Sequence, residues 1–86
     1  MYTLLVDKNI EKFIKKLDKN TRLRIKDALL EIQETPFSAS NVKKLSNFNL
    51  YRKRVGDLRI IYEIVEGKLI VHVIKIGYRG DIYKRS

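Results

Sequence analysis

Arginine and tyrosine residues are concentrated in one short stretch of the chain. Residues 51–63 read YRKRVGDLRIIYE, with three arginines and one lysine between positions 52 and 59. The guanidinium group of arginine presents a planar set of N–H donors that matches the oxygens of a phosphate. Several such groups held close together repel one another, which favours the binding of an anion between them. This stretch therefore indicates a site for a phosphate-bearing ligand.

The spacing of the arginines predicts that they meet on one face of a β-hairpin. Side chains alternate between the two faces of a strand, so Arg52 and Arg54 share a face that Lys53 does not. The letters VGD that follow are a turn signal, and Arg59 comes just after it, in the next strand. We expect Arg52, Arg54 and Arg59 to converge, although charged hairpin faces also serve solubility and discourage edge pairing.

The segment after the last long predicted strand adds two further candidates. Gly77 lets the backbone turn sharply, so that Arg79 can swing over the end of the sheet. The ring of Tyr83 can stack on a base, and its hydroxyl can bond a phosphate. The alternative for Tyr83, an anchor of the C-terminal segment in the core, stays open on the sequence alone.

The remaining polar residues fit commoner roles. Lys53, Lys68, Lys75 and Lys84 are typical of lysines on the solvent face of a sheet. His72 is the only histidine and lies between two valines, which favours a packed or partly exposed sheet residue over a general base. The chain lacks the paired His or carboxylate spacings of a metal site, and it lacks a glycine-rich phosphate loop. We therefore expect no metal and no cofactor.

The composition favours one small basic domain, residues 1–86, with a polyanionic partner. Residues 1–43 carry 9 basic and 6 acidic groups, a net charge of +3, and residues 44–86 carry 10 and 4, a net charge of +6. Such an excess suits a nucleic acid or an acidic protein. The absence of cysteine is compatible with the cytoplasm. The N-terminal segment resembles neither a signal peptide nor a membrane span.

The apolar pattern of the N-terminal half predicts a strand followed by two antiparallel helices. Residues 2–6 form a short apolar run that is typical of a strand. The apolar residues at helical spacing are Ile10, Phe13, Ile14 and Leu17 in the first helix and Ile25, Ala28, Leu29 and Ile32 in the second. The letters DKNT before the second helix can cap it, and we expect that helix to run from about Thr21 to Thr35, because Pro36 ends it.

The C-terminal half predicts an antiparallel meander. Residues 36–47, PFSASNVKKLSN, indicate an irregular connector. The predicted strands are 49–55, 58–65 and 68–76, with residues 82–83 as a candidate short final strand. The most apolar of them, 68–76, is expected to be central. We therefore expect an α+β fold in the order βααβββ, with the N-terminal strand and the helical hairpin packed on one face of a small, mostly antiparallel sheet.

The segments LYRKRVGDLRIIYEI and VIKIGYRGDIY resemble the RelE/ParE superfamily of toxin–antitoxin toxins, and most closely the RelE-type messenger-RNA interferases. The family pattern joins a Tyr-Arg-x-Arg-x-Gly-x-x-Arg hairpin to a Gly-x-Arg turn and a tyrosine near the end. The resemblance implies a toxin that cleaves messenger RNA in the ribosomal A site without a metal. In that reaction the ribose 2′-hydroxyl attacks the adjacent phosphate, which leaves a 2′,3′-cyclic phosphate and a 5′-hydroxyl.

The resemblance also implies roles for individual residues. Arg59 resembles the residue that stabilises the charged intermediate, Arg79 the one associated with the leaving group, and Tyr83 the tyrosine that stacks on RNA and orients the 2′-hydroxyl. Arg52 and Arg54 occupy positions that are commonly lysine in the family. Because arginine effectively cannot lose a proton, the general base is unassigned. Further candidates for contact with RNA are Lys44, Lys53, Tyr78 and Arg85.

Two other functions remain open from the sequence. A ParE-like toxin would inhibit DNA gyrase without cutting RNA, although that branch does not generally keep the full arginine set with Tyr83. A RelE homologue with little or no activity would still bind RNA and antitoxin. The resemblance implies a RelB-like antitoxin with an acidic helical segment as a partner, together with the ribosome and messenger RNA. Contact with DNA is then expected only through the antitoxin.

Overall fold

The computed structural model describes residues 2–45 and 49–78, with the main chain alone at Glu66. These residues form five strands, two α-helices and one short 3₁₀ segment. In chain order the elements are β1 (Thr3–Val6), α1 (Lys8–Lys15), α2 (Lys19–Glu34), β2 (Val42–Leu45), β3 (Leu50–Val55), β4 (Leu58–Val65), the 3₁₀ segment (Glu66–Lys68) and β5 (Ile70–Tyr78). Neither described helix combines the length and the hydropathy that crossing a bilayer requires.

The strands form one mixed sheet in the order β1-β5-β4-β3-β2. β1 runs parallel to β5, and the other three pairings are antiparallel. Ile25 and Ile32 of α2 belong to one buried cluster with Ile60 of β4 and Val73 of β5, so α2 covers one face of the sheet. The predicted α+β fold, with a helical hairpin on one face of a mostly antiparallel sheet, is confirmed. The apolar β5 is an interior strand, although β4 is the middle one.

The segment 36–47, which was expected to be irregular, contains the additional strand β2. Val42 and Leu45 bracket two lysines in this strand, so its sequence lacks the alternation of a half-buried strand. Its hydrogen-bonded register with β3, from Val42 opposite Lys53 to Leu45 opposite Leu50, provides the strand conformation instead. Pairing with a neighbour, and not local pattern, therefore creates β2.

The two helices begin where acidic residues precede them. Asp18 is the N-cap of α2, and its carboxylate accepts hydrogen bonds from the main-chain N–H of Thr21 at 3.1 Å and from the Thr21 hydroxyl at 2.6 Å. Both hydrogen bonds lower the pKa of Asp18, and the bond from the Thr21 hydroxyl has the larger effect. The helix thus starts two residues earlier than expected, at Lys19, and it ends at Glu34 ahead of the proline as predicted.

Two stacked tyrosines attach the connector after α2 to the sheet. The rings of Tyr51 and Tyr62 are nearly parallel, with centroids 5.7 Å apart. The fully buried Tyr62 donates its hydroxyl to the carbonyl of Pro36 at 2.6 Å. Burial raises the pKa of Tyr62 well above the ordinary tyrosine range. The neutral phenol is therefore a permanent donor that fixes the chain leading into β2.

Candidate functional site

A polar cleft lies on the face of the sheet that points away from the helices, and residues in or next to β2, β3 and β4 line it. Lys53 of β3 is buried towards the helices, so its neighbours Arg52 and Arg54 take the opposite face. Arg54 lies opposite Arg59 of β4, and Arg52 lies opposite Lys43 of β2. The resulting arginine cleft has a volume of about 210 Å³. It is lined by Asn41, Val42, Lys43, Arg52, Arg54 and Arg59.

The predicted convergence of Arg52, Arg54 and Arg59 is thereby confirmed. Residues directly opposite each other in an antiparallel pair have Cβ atoms about 4.5–5.5 Å apart, and like charges in such positions are destabilising. Within residues 2–45 and 49–78, neither Arg54 nor Arg59 forms a salt bridge with a carboxylate. A bound anion would relieve this repulsion, which is the electrostatic condition for a phosphate site.

Arg59 is held at the base of the hairpin turn. Its side chain is only 7% exposed, and Nη1 donates to the carbonyl of Leu58 at 3.2 Å and, more weakly, to that of Gly56 at 3.4 Å. Carbonyl oxygens orient the guanidinium without neutralising it. The charge is therefore preorganised, which is what stabilisation of a transient anion requires.

Lys53 does not belong to the arginine cleft. Its side chain is 4% exposed on the helix side of the sheet, and Nζ donates to Glu31 Oε1 at 2.9 Å and to the carbonyl of Ser40. The contact of Lys53 with RNA stays a prediction, and its alternative role as a solvent-exposed lysine is wrong. The physical reason is that α2 supplies the half-buried carboxylate of Glu31, which pairs with the ammonium group on the helix side of the sheet.

Glu31 is the centre of this polar contact, in which Lys53 is buried and Glu31 is partly exposed. The main-chain N–H of Ser40 and the ammonium of Lys53 lower the pKa of Glu31 to about 2, with the Ser40 bond as the larger cause. The carboxylate accepts from Ser40 N at 2.7 Å and from the Ser40 hydroxyl at 3.0 Å. The contact joins α2, the connector and β3, so it supports the arginine cleft from the opposite face.

On β2, the structure brings Lys43 and not Lys44 to the arginine cleft. Lys44 lies opposite the buried Tyr51, whereas Lys43 lies opposite Arg52. Lys44 therefore does not line the arginine cleft, and its contact with RNA stays a prediction. Lys43 was missed because β2 itself was not predicted, and only its pairing with β3 identifies the face on which each lysine lies. Among the described lining residues, Lys43 alone carries a group that exchanges protons readily.

Tyr78 lies at the end of β5 on the helix side of the sheet. It is paired with Leu58, and its ring contacts that of Phe13 edge to face at a centroid distance of 6.3 Å. The ring is 48% exposed and lines a cleft of about 220 Å³ next to the hairpin turn. Tyr78 is therefore separate from the arginine cleft, and its contact with RNA stays a prediction.

Three of the predicted site residues lie outside the described residues. They are Arg79, Tyr83 and Arg85, and the candidate short strand at 82–83 lies there as well. His72 is described, and it is a partly exposed residue of β5, as expected. Its Nε2 lies 3.4 Å from Asp7 and its Nδ1 lies 3.5 Å from Glu63.

Comparison with protein families gives one match over nearly the whole chain. The model of the ParE toxin of type II toxin–antitoxin systems, parDE, matches residues 2–83. A curated relative, the mRNA interferase toxin RelE of Escherichia coli K12, is 28% identical over 88 residues, which cover 99% of this chain and 93% of the relative.

Solved structures share the fold described above. The archaeal RelE–RelB complex from Pyrococcus horikoshii OT3 contains a chain with a TM-score of 0.81 and 26% identity, covering 92% of this chain and 96% of that chain. The intact E. coli RelBE toxin–antitoxin complex gives a TM-score of 0.77 and 28% identity, covering 91% and 96% respectively. The two helices on a five-stranded mixed sheet are thus the arrangement of these relatives.

Proposed function

Because this chain belongs to the RelE/ParE superfamily of toxins from type II toxin–antitoxin systems and is close to RelE, we propose that it is a ribosome-dependent endoribonuclease that cleaves messenger RNA in the A site. The arginine cleft is the observation that carries this proposal. It gathers three guanidinium groups and one ammonium group around a volume of about 210 Å³ on one face of the sheet. The E. coli relative, which spans a similar length, is named an mRNA interferase.

The proposed reaction is an internal phosphoryl transfer within the RNA strand. The ribose 2′-oxygen attacks the neighbouring phosphorus as the bond from phosphorus to the 5′-oxygen breaks, which yields a 2′,3′-cyclic phosphate and a 5′-hydroxyl end. Negative charge gathers on the non-bridging oxygens in the transition state, and the preorganised Arg59 is placed to stabilise it, with Arg52 and Arg54 beside it. We propose that no metal ion is required, since these fixed cations provide the positive charge.

Two protons must also move, one from the 2′-hydroxyl and one to the departing 5′-oxygen. The arginines of the cleft are poor candidates because a guanidinium group effectively does not deprotonate. Lys43 is our candidate for one of these transfers, since it lines the same cleft opposite Arg52. Arg79 and Tyr83 remain in the proposal by family resemblance, for the leaving group and for orientation of the 2′-hydroxyl.

The proposed partners follow from the same relatives. RelE chains are seen with RelB in the complexes from P. horikoshii and E. coli. We propose that a RelB-like antitoxin with an acidic helical segment neutralises this toxin, and that the ribosome and messenger RNA in the cytoplasm are its targets. The net charge of +9 supports both kinds of polyanionic partner. Contact with DNA would occur only through the antitoxin.

Mapping of RNA ends tests the proposal directly. The purified toxin is added to ribosomes stalled on a defined message, and the new termini are analysed for cyclic phosphate and 5′-hydroxyl groups. Cleavage inside the A-site codon that requires the ribosome supports the proposal. An intact message combined with loss of gyrase supercoiling would instead indicate a ParE-like inhibitor, and harmless expression of a folded protein would indicate an inactive homologue.

A further inference from the structure

A second cleft adjoins the arginine cleft at Arg54. It has a volume of about 300 Å³ and lies between α2 and the end of the β3–β4 hairpin. Its walls include Arg24, Asp27 and Glu31 from α2 and Asn41, Arg54 and Gly56 from the opposite side. Asn41 and Arg54 line both clefts. The two spaces therefore meet around a single guanidinium group, at the edge of the sheet.

The charge balance of this second cleft favours an anion. Lys53 also lines it, but its ammonium is paired with Glu31, whose pKa is lowered to about 2, so these two charges compensate each other. Asp27 then faces two guanidinium groups, those of Arg24 and Arg54. The remaining net positive charge is contributed by residues from two different elements on either side of the cleft.

Arg24 lies against the hairpin turn because residue 56 is glycine. Gly56 has φ of +59°, and a Cβ added there would lie 3.3 Å from Arg24 Nη2. The bare backbone thus lets the guanidinium group approach the turn closely. Arg24 also lines the third cleft, of about 220 Å³, together with Gly56, Asp57 and the half-exposed ring of Tyr78.

We propose that these three clefts form one groove for single-stranded RNA, in which the strand leaves the arginine cleft at Arg54, passes Arg24 with a flanking phosphate and stacks a base on Tyr78. An alternation of cations and an exposed aromatic ring is the general arrangement by which proteins bind single strands without reading their sequence. The inference rests on the proposed action on RNA and adds a second contact region outside the arginine cleft. Arg24 binds the RNA in this scheme and takes no part in the chemical step.

Two non-cleavable 2′-methoxy RNAs, a trinucleotide and a nonanucleotide, test the groove by fluorescence anisotropy over a series of salt concentrations. The trinucleotide can occupy the arginine cleft, whereas the nonanucleotide can also reach Arg24. Arg24→Gln is expected to weaken nonanucleotide binding about two- to fivefold, the effect of an exposed charge pair. The slope of log K against log salt should fall by about 0.7, the value for one phosphate contact with a single strand.

The matched control is Lys26→Gln, which removes one positive charge from the same helix on the side that lines an apolar cleft near Leu4. This variant should bind both RNAs as the wild type does, and Arg24→Lys should restore the salt slope. An equal loss for Lys26→Gln, an equal loss for the trinucleotide, or no loss for Arg24→Gln would each overturn the groove. Failure of the wild type to bind the nonanucleotide would also overturn the groove, whereas the proposed function, which requires the ribosome, is tested separately by the mapping of RNA ends.

Discussion

At the scale of single residues, the chemistry of the proposed site depends on how Arg59 is held. Arg59→Ala removes a guanidinium that is oriented by two carbonyl groups and sits at the base of the arginine cleft. Loss of one preorganised donor of this kind typically costs about 10²–10³ in rate. We expect single-turnover cleavage of ribosome-bound message to fall by about that factor. Thermal unfolding should change little, and wild-type cleavage by a folded variant would place the reacting phosphate elsewhere.

A second residue-scale prediction separates charge from proton transfer at Lys43. Lys43→Arg keeps the positive charge opposite Arg52 but removes the group that exchanges a proton. We expect RNA binding to persist while the single-turnover rate falls by about 10²–10⁴, the usual contribution of a general acid or base.

The adjacent Lys44 provides the control for this experiment. Lys44 lies opposite the buried Tyr51 and does not line the arginine cleft, so Lys44→Arg should leave both rate and binding unchanged. Equal rates for the wild type and Lys43→Arg would show that another group transfers the proton.

The residues of the site differ in how far the sequence predicts them. Strand alternation was enough to place Arg52 and Arg54 on one face, and a two-residue turn brought Arg59 to the same face. Lys53 could not be assigned in this way, because its environment depends on Glu31, which lies 22 positions earlier in the chain and in another element. The same alternation that exposes the arginines places Lys53 beneath α2.

At the scale of elements, local signals predicted the helical hairpin and the meander. The additional strand β2 was not predicted, because it depends on pairing with β3. The caps, the apolar stripes and the glycine turns are properties of short segments, so they can be recognised within the sequence. β2 has no such signal, and it forms because β3 offers a free edge and because the connector is fixed to Tyr62 and Glu31. The position of Lys43 was therefore beyond any local pattern.

The contact of Glu31 with Ser40 and Lys53 predicts how stability depends on pH. Its folded-state pKa of about 2 lies below the model-peptide value of 4.5, so the carboxylate stabilises the fold above about pH 4.5. That contribution is lost as the pH falls from 4.5 towards 2. We expect Glu31→Gln to flatten this part of the curve of unfolding free energy against pH, measured by urea denaturation.

Glu34→Gln is the matched control, because Glu34 is an exposed residue at the end of the same helix. This variant should leave the low-pH part of the curve of unfolding free energy against pH as steep as in the wild type. If Glu31→Gln and Glu34→Gln had the same effect on stability at low pH, the contact of Glu31 with Ser40 and Lys53 would not be the origin of the pH dependence.

The attachment of the connector to the sheet gives another prediction at this scale. Tyr62→Phe keeps the ring stack but leaves the carbonyl of Pro36 without its 2.6 Å hydrogen bond. The expected loss is about 1–3 kcal/mol of unfolding free energy, the cost of an unsatisfied buried polar group. Tyr51→Phe, on the partner ring, is the control and should cost less. Equal losses for the two variants would show that the hydrogen bond to Pro36 makes no particular contribution to fixing the connector.

At the scale of the whole molecule, we expect the net charge to affect encounter with the proposed target more than the chemical step. The chain has a net charge of +9, and lysines of α1 and α2 lie far along the chain from the arginine cleft. This excess could be read from composition alone, although composition could not show that the arginines gather on the face opposite the helices. A field of one sign accelerates association with a polyanion and is screened by salt.

Removing charge from α1 and from its C-cap residue, Lys16, tests whether the net charge acts on association or on the chemical step. Lys12→Gln combined with Lys16→Gln should slow association with ribosomes at low salt, because both side chains are exposed and neither lines the arginine cleft. The difference from the wild type should shrink as salt approaches about 1 M, where the Debye length is near 3 Å. Dissociation and single-turnover cleavage should stay unchanged, since steering affects mainly the association rate.

Glu11→Gln, which removes a negative charge from the same helix, should have the opposite effect on association. A slower cleavage step in the double variant would show that α1 contacts the bound RNA or the ribosome, and that its lysines do more than attract the target.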